Sequence, residues 1–384
     1  MAIDTTVIPI SDVKLGIKKE TTFGTLLDSD GTNTQVFRQL PVVQATKPTF
    51  NITRESRLLS GRGTVKNAAD TIISNKLGTV TCPFDFVATP ELLLEHLVMV
   101  TQTYNADGSD KYTVEVDGSN NNTSIGGTIS GGLPHSVNLA YYPAASQGIT
   151  IPGCVVSDLT ISGDYGTNGG NLNMSGNYFS GFSNIFSSSG TGSLLEDNYT
   201  GTWVLPDSGQ FFNMGNIGGR ALEIDGSSQD VILKSFSLNI ANGVNRIGAD
   251  AKGGAEGYAF PEYVVTGTVT VKYDGEAGLS AGENVVQSFI DGQTCLLTLT
   301  FGDGTPSSSG EMNILAEVQF TGDPAQDISE NGIFWTLPFE CVQNGTDEAL
   351  EISLYSDTAI GSMYKYLYTE YREQTHLLTF LMKR

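Results

Sequence analysis

The chain is poor in the groups from which most catalytic and metal sites are built. Its 384 residues include three histidines and four cysteines. His96, His135 and His376 fall in no HExxH or HxxxH spacing. No GxSxG elbow, P-loop or dinucleotide fingerprint is present. These absences argue against an enzyme, so no catalytic, cofactor-binding or metal-binding residue is assigned. Asp28-Ser-Asp30-Gly-Thr-Asn33 has some oxygen ligands of a calcium loop. It lacks the regular acidic spacing and distal Glu, and reads as a turn cluster. Cys82, Cys154, Cys295 and Cys341 are far apart, each within or opening an apolar strand-like run. They read as buried free thiols rather than a disulfide framework. No apolar run approaches the ~20 residues that a membrane-spanning helix needs. Met1-Ala-Ile-Asp-Thr-Thr has neither the basic nor the apolar part of a signal peptide. A soluble protein made in the cytoplasm, with no membrane insertion, is expected.

Positive charge is also scarce, and what exists is unevenly placed. The formal net charge is -22. Residues 1–76 hold ten Lys/Arg against seven Asp/Glu; the other 308 hold ten against thirty-five, a balance of -25. Such a surface repels phosphate, which excludes tight groove-style nucleic-acid binding. Charged residues make up 16% of the chain, too few for a disordered polyelectrolyte. The 45 glycines, with many Ser, Thr and Asn, point to a turn-rich β protein.

One octapeptide recurs. Gly78-Thr-Val-Thr-Cys-Pro-Phe-Asp85 returns as Gly267-Thr-Val-Thr-Val-Lys-Tyr-Asp274, identical at five of eight positions. A Lys-led alternating segment precedes each copy, at Lys47 and at Lys234. A short helix-like run and further strands follow each, so the chain reads as a duplicated folding unit. In the first copy the helix opens at Thr89-Pro-Glu, with Thr89 as N-cap and Pro90 at the first helical position. In the second it lies near 281–290. Each unit is predicted to be mainly β, a sandwich or barrel with one short flanking α-helix. The expected organisation is an arm at 1–33, a β domain at 34–182, a Ser/Gly-rich linker at 183–221, a second β domain at 222–358, and a segment 359–384 serving as arm or last strand.

The leader carries Gly16-Ile-Lys-Lys-Glu20-Thr-Thr-Phe23-Gly24-Thr25. This resembles the G-x-x-x-E-x-x-(aromatic)-G-T opening of tailed-bacteriophage tail tube proteins, the major tail proteins. The order of later features agrees: a long loop after the second strand, the strand–helix–strand passage at 78–116, and Gly153-Cys-Val-Val-Ser-Asp-Leu-Thr-Ile161. The duplication departs from single-domain members and matches a two-tube-domain type. The resemblance implies a structural virion protein whose sheets join edge to edge around a hollow channel. With two domains per chain, three chains would complete a pseudo-sixfold ring, and rings would stack into the tail tube. The implied partners are further copies of the chain, the tape measure protein, the tail terminator, distal tail or baseplate proteins, and genomic DNA passing non-specifically. The implied location is the virion tail, assembled in the host cytoplasm.

Two sets of residues are candidates for contact between rings. The first is the basic, Gly-interrupted loop carrying Arg54, Arg57, Arg62 and Lys66. The second is its counterpart in 242–261, with Arg246, Asp250, Lys252 and Glu256. Acidic side chains are expected to line the channel. Two other classes fit a catalytically empty β protein: a distal tail or decoration subunit, and a carbohydrate-binding or adhesive sandwich. The last predicts clustered exposed aromatics, whereas Trp203 and Trp335 lie in different segments.

Overall fold

The computed structural model describes residues 13–355 apart from 21, 25–35, 43–44, 52–53, 57–70, 74–77, 104, 108–110, 117–134, 145–146, 183–194, 197–201, 205–210, 225–226, 231, 249–253, 273–287, 303–310, 330–331 and 346. The first half supplies β1 (Lys14–Lys19), β2 (Val36–Gln39), β3 (Thr49–Asn51), β4 (Arg54–Ser56), β5 (Thr71–Ile73), β6 (Thr79–Val87), helix α1 (Pro90–Thr101), β7 (Asn105–Asp107), β8 (Lys111–Val116), β9 (Val137–Ala144), β10 (Gln147–Asp164) and β11 (Asn173–Ser180). Between the halves lie β12 (Leu195–Glu196) and β13 (Thr202–Val204). The second half supplies β14 (Ile217–Ile224), β15 (Ser227–Asp230), β16 (Leu233–Ala241), β17 (Asn245–Ile247), β18 (Gly257–Ala259), β19 (Val264–Lys272), β20 (Thr294–Phe301), β21 (Met312–Phe320), β22 (Ala325–Ser329), β23 (Gly332–Cys341) and β24 (Leu350–Tyr355). Residues 288–291 form a helical turn. The fold is mainly β, as the sequence predicts.

The duplication is visible as a repeated pairing pattern. In the first unit β1 pairs with β2 and β9, and the first part of β10 pairs with β9 and β12. The rest of β10 pairs with β11, β11 with β6, and β6 with β3, while β4 and β5 form a hairpin. In the second unit β14 pairs with β15 and β20, and β21 with β20 and β24. There β22 pairs with β23, β23 with β19, and β19 with β16, while β17 and β18 form the hairpin. The recurrent octapeptide occupies equivalent places. Val80 faces Phe50 across β6–β3, and Val269 faces Phe236 across β19–β16. An aromatic–β-branched cross-strand pair stabilises each copy at the same point.

The units join edge to edge. Seven residue pairs, Asp158↔Ala241 to Asp164↔Ser235, link β10 to β16. The result is a sheet in the order β3-β6-β11-β10-β16-β19-β23-β22. Its two end strands, β3 and β22, are paired on one side among the described residues. Alternation sets its faces: Val80, Cys82, Phe84 and Phe86 of β6 are buried, while Pro83 and Asp85 point to solvent. β10 belongs to both layers of the first unit. It bends at Pro152-Gly153, where the β9 register shifts between Ile151 and Cys154 and Gly153 has φ +63°. Only glycine adopts that backbone readily.

Helix α1 plugs the first unit. Thr89 Oγ1 accepts the Leu92 N–H, Pro90 sits in the first turn, and Gln102 ends the helix in the left-handed conformation at φ 59°. Every residue from Glu91 to Thr101 is buried, the signature of a helix enclosed on all sides. The four cysteines are free and buried. No helix among the described residues is long and apolar enough to cross a membrane.

Candidate assembly surface

The leader motif is a buried polar knot rather than part of a solvated arm. Gly16 lies in β1, opposite Ala140 of β9 and Gln39 of β2. Glu20 follows β1 and is fully buried. Its carboxylate accepts four hydrogen bonds: Asn138 Nδ2 (2.7 Å) and the Gly153 N–H (2.6 Å) on Oε1, Ser136 Oγ (2.6 Å) and the Gly24 N–H (3.1 Å) on Oε2. Burial pushes this carboxyl up to about 7, opposed by the Ser136, Gly153 and Gly24 donors. Phe23 packs edge-on against Phe182 and Tyr258, with ring centroids 5.4 and 5.0 Å apart. Gly24 has φ +70°, and a Cβ there would lie 2.2 Å from Phe182 Cζ. Thr25 lies outside the described residues.

Tyr258 carries the knot into the second unit. Its hydroxyl donates to the Gly153 carbonyl (2.5 Å) and accepts the Gly181 N–H (2.8 Å). One cluster therefore ties β1, β9, the β10 bend and the β17–β18 hairpin together. A four-residue turn motif specifies an unusually large part of the inter-unit geometry.

A second buried polar group anchors α1. Arg38 of β2 donates to Glu95 (2.9 Å) and pairs with Glu91, both carboxylates lying one turn apart on the helix. Burial raises the Glu91 pKa against the pull of Arg38, and burial lowers that of nearby Lys19. His96 is buried, with ring nitrogens 2.6 Å from the Leu92 carbonyl and 2.5 Å from the Tyr178 hydroxyl. Burial holds its pKa down at about 4, so it stays neutral. Sequence reasoning found α1 but not this cluster, because Arg38 sits 53 residues from Glu91. A Glu pair at helical spacing in a helix of leucines was the available signal.

The residues expected at contacts between rings divide. Arg54 lies in β4, whose pairing Arg54↔Ile73 makes the loop an extended hairpin. Arg57, Arg62, Lys66, Asp250 and Lys252 lie outside the described residues. Arg246 of β17 donates to the carbonyls of Gly78 (3.3 Å), Gly181 (2.8 Å), Gly248 (3.0 Å) and Gly254 (2.8 Å). That guanidinium braces its own hairpin against the first unit. Glu256 is exposed at the base of the same hairpin. Both hairpins leave the sheet between equivalent strands.

The solvent side of the eight-stranded run is a lattice of hydroxyls and carboxamides. Asn173 bonds Asp85 (2.6 Å), Asn177 bonds Asp158 (3.0 and 3.1 Å), Asn239 bonds Thr160 (2.8 Å), and the hydroxyls of Thr270 and Thr336 lie 3.2 Å apart. Acids are sparse on it: Asp85, Asp158, Asp164 and Glu340.

At one end of the run the repeat exposes an apolar residue. Asp158 faces Asn177, which faces Pro83. Asp327 faces Phe334, which faces Lys272, and Pro83 and Lys272 are equivalent in the octapeptide. Asp158-Leu159-Thr160 thus corresponds to Asp327-Ile328-Ser329. Leu159 is fully buried beneath β16, whereas Ile328 is 72% exposed on the end strand. A model of the family described as phage tail tube protein matches residues 10–341. No curated protein matches the chain.

Proposed function

We propose, from the premise that this chain belongs to the phage tail tube protein family, that three copies close a ring and that rings stack into the hollow tail tube. Family membership makes it a structural component of a virion tail. The observation that carries the ring is the contrast between Leu159 and Ile328. The joint that buries Leu159 inside the chain is β10 against β16, and β22 offers the equivalent edge with nothing over it. The matching acceptor is β3 of a second copy, the counterpart of β16. An edge strand with a bare isoleucine is a template for pairing, and closing a ring removes it. Two units per chain and three chains give six such joints.

In this reading the hydroxyl- and amide-rich face lines the channel. Its acids, Asp85, Asp158, Asp164 and Glu340, supply mild repulsion of phosphate amid neutral side chains, so DNA and tape measure protein pass without being gripped. Repulsion acts within about 8 Å at physiological salt. The hairpin β4–β5 with Arg54, Arg57, Arg62 and Lys66, and the loop carrying Asp250, Lys252 and Glu256, reach the adjacent ring. Tail terminator and distal tail proteins cap the ends, and assembly takes place in the host cytoplasm.

Electron microscopy of concentrated, incubated protein tests the reading. Uniform hollow tubes with threefold end views are expected. Closed rings that never stack would instead favour a distal-tail subunit.

A further inference from the structure

The two units differ in one respect. Between α1 and β9 the first unit inserts residues 102–136, whereas in the second β20 follows the helical turn at 288–291 directly. The insertion carries β7 and β8. β8 does not return to its own unit; it pairs with β24 of the second, through six residue pairs from Leu350↔Val116 to Tyr355↔Lys111. Thr113 and Ser353 face each other there, both buried, with hydroxyl oxygens 3.2 Å apart. The base of the insertion is fastened: Gln102 Nε2 donates to the carbonyls of Met99 (2.6 Å) and His135 (3.2 Å), and Thr103 Oγ1 to Glu115 (2.9 Å). Nearby, Asn242 Nδ2 donates to both Val100 and Val156 carbonyls at 2.8 Å, and the Tyr263 hydroxyl to Thr101 (2.9 Å).

The joint within the chain therefore has two strand pairings, of seven and six residue pairs, plus buried side-chain ties. The joint between chains has less to work with. β22 has five residues and β3 has three. The second unit has no inserted strand that could reach the neighbour's β12, the counterpart of β24. We propose that the six lateral joints of the ring are of two kinds, and that β7–β8 is a clamp that builds three of them before any chain meets another. Each chain is then a preset arc of one third of the ring, and assembly and dissociation take place at the three β22–β3 joints. The count of joints rests on the ring reading above; the clamp itself does not.

Hydrogen exchange read by mass spectrometry on the unassembled chain tests the clamp. Amides of 111–116 and 350–355 are expected to be protected already, and unchanged on assembly, while 325–329 gains protection only in tubes. Free exchange of 111–116 in the unassembled chain, with protection acquired on assembly, would overturn the proposal. The double variant Thr113→Cys/Ser353→Cys adds a second readout. A disulfide should form on oxidation of the unassembled chain, and the oxidised protein should assemble like the wild type. A pair that crosslinks only after assembly, or a crosslink that blocks it, counts against the clamp. If no tubes ever form, the ring reading fails while the unassembled-chain measurements still decide the clamp.

Discussion

Replacing Ile328 by alanine should weaken assembly while leaving the single chain as stable as before. The side chain is 72% exposed, so in the isolated protein there is little burial to lose, and surface substitutions of this kind stay within about 0.5 kcal/mol. In the ring it would take the place that Leu159 holds under β16. Fully burying an isoleucine is worth roughly 1.5–3 kcal/mol, so covering most of it contributes about 1–2 kcal/mol per joint. That corresponds to roughly a 5–30-fold change in the equilibrium constant of each contact. Sedimentation of a concentration series gives the critical concentration for tubes, and thermal melting of dilute protein gives chain stability. The critical concentration should rise with Tm unchanged. Leu159→Ala is the control with the opposite profile, costing about 2–5 kcal/mol of fold stability because its site is already filled. An Ile328→Ala protein that assembles at the wild-type concentration would refute the equivalence of the two positions.

Other outcomes follow from the polar sites. Glu20→Gln turns an amide towards donors, leaving buried N–H or O–H groups facing N–H₂, and should cost about 1–3 kcal/mol by urea unfolding. The Glu20 pKa is raised in the folded chain, so its contribution is full below pH 4.5 and lost as pH rises through about 7. Wild-type Tm should carry that decline between pH 5 and 8, and Glu20→Gln should lack it. Gly24→Ala places a methyl against Phe182 at a left-handed residue and should lower Tm; an unchanged melting curve would mean the Phe23–Phe182 packing is dispensable. Deleting residues 57–66 should leave a folded, soluble chain that forms no tubes, and normal tubes from it would remove that hairpin from ring stacking.

Much of the architecture was legible in the sequence because duplication writes itself twice. The octapeptide at Gly78 and Gly267 marks equivalent strands, and Thr89-Pro90 marks α1. What stayed hidden depends on distant partners. Asp158-Leu159-Thr160 and Asp327-Ile328-Ser329 share a pattern too short to notice until strand register aligns them. The residues 14–19, expected in an arm, form β1 because Leu15 and Ile17 find a core against β9. Nothing local in Lys111-Tyr-Thr-Val-Glu-Val116 says that its partner lies more than two hundred residues away. Gly16, Glu20, Phe23 and Gly24 were recognisable as a motif, but their chemistry needed Ser136, Asn138, Gly153 and Tyr258 in place.

The bend in β10 has a mechanical consequence. Because one unbroken strand of 18 residues runs from the outer layer, beside β9, into the wall shared with β16, load travels along covalent backbone. A pull on the outside of the molecule reaches the inner wall without crossing a side-chain interface that could slip. The Glu20 carboxylate, bonded to the Gly153 amide at the corner, acts as the gusset that keeps the angle from opening.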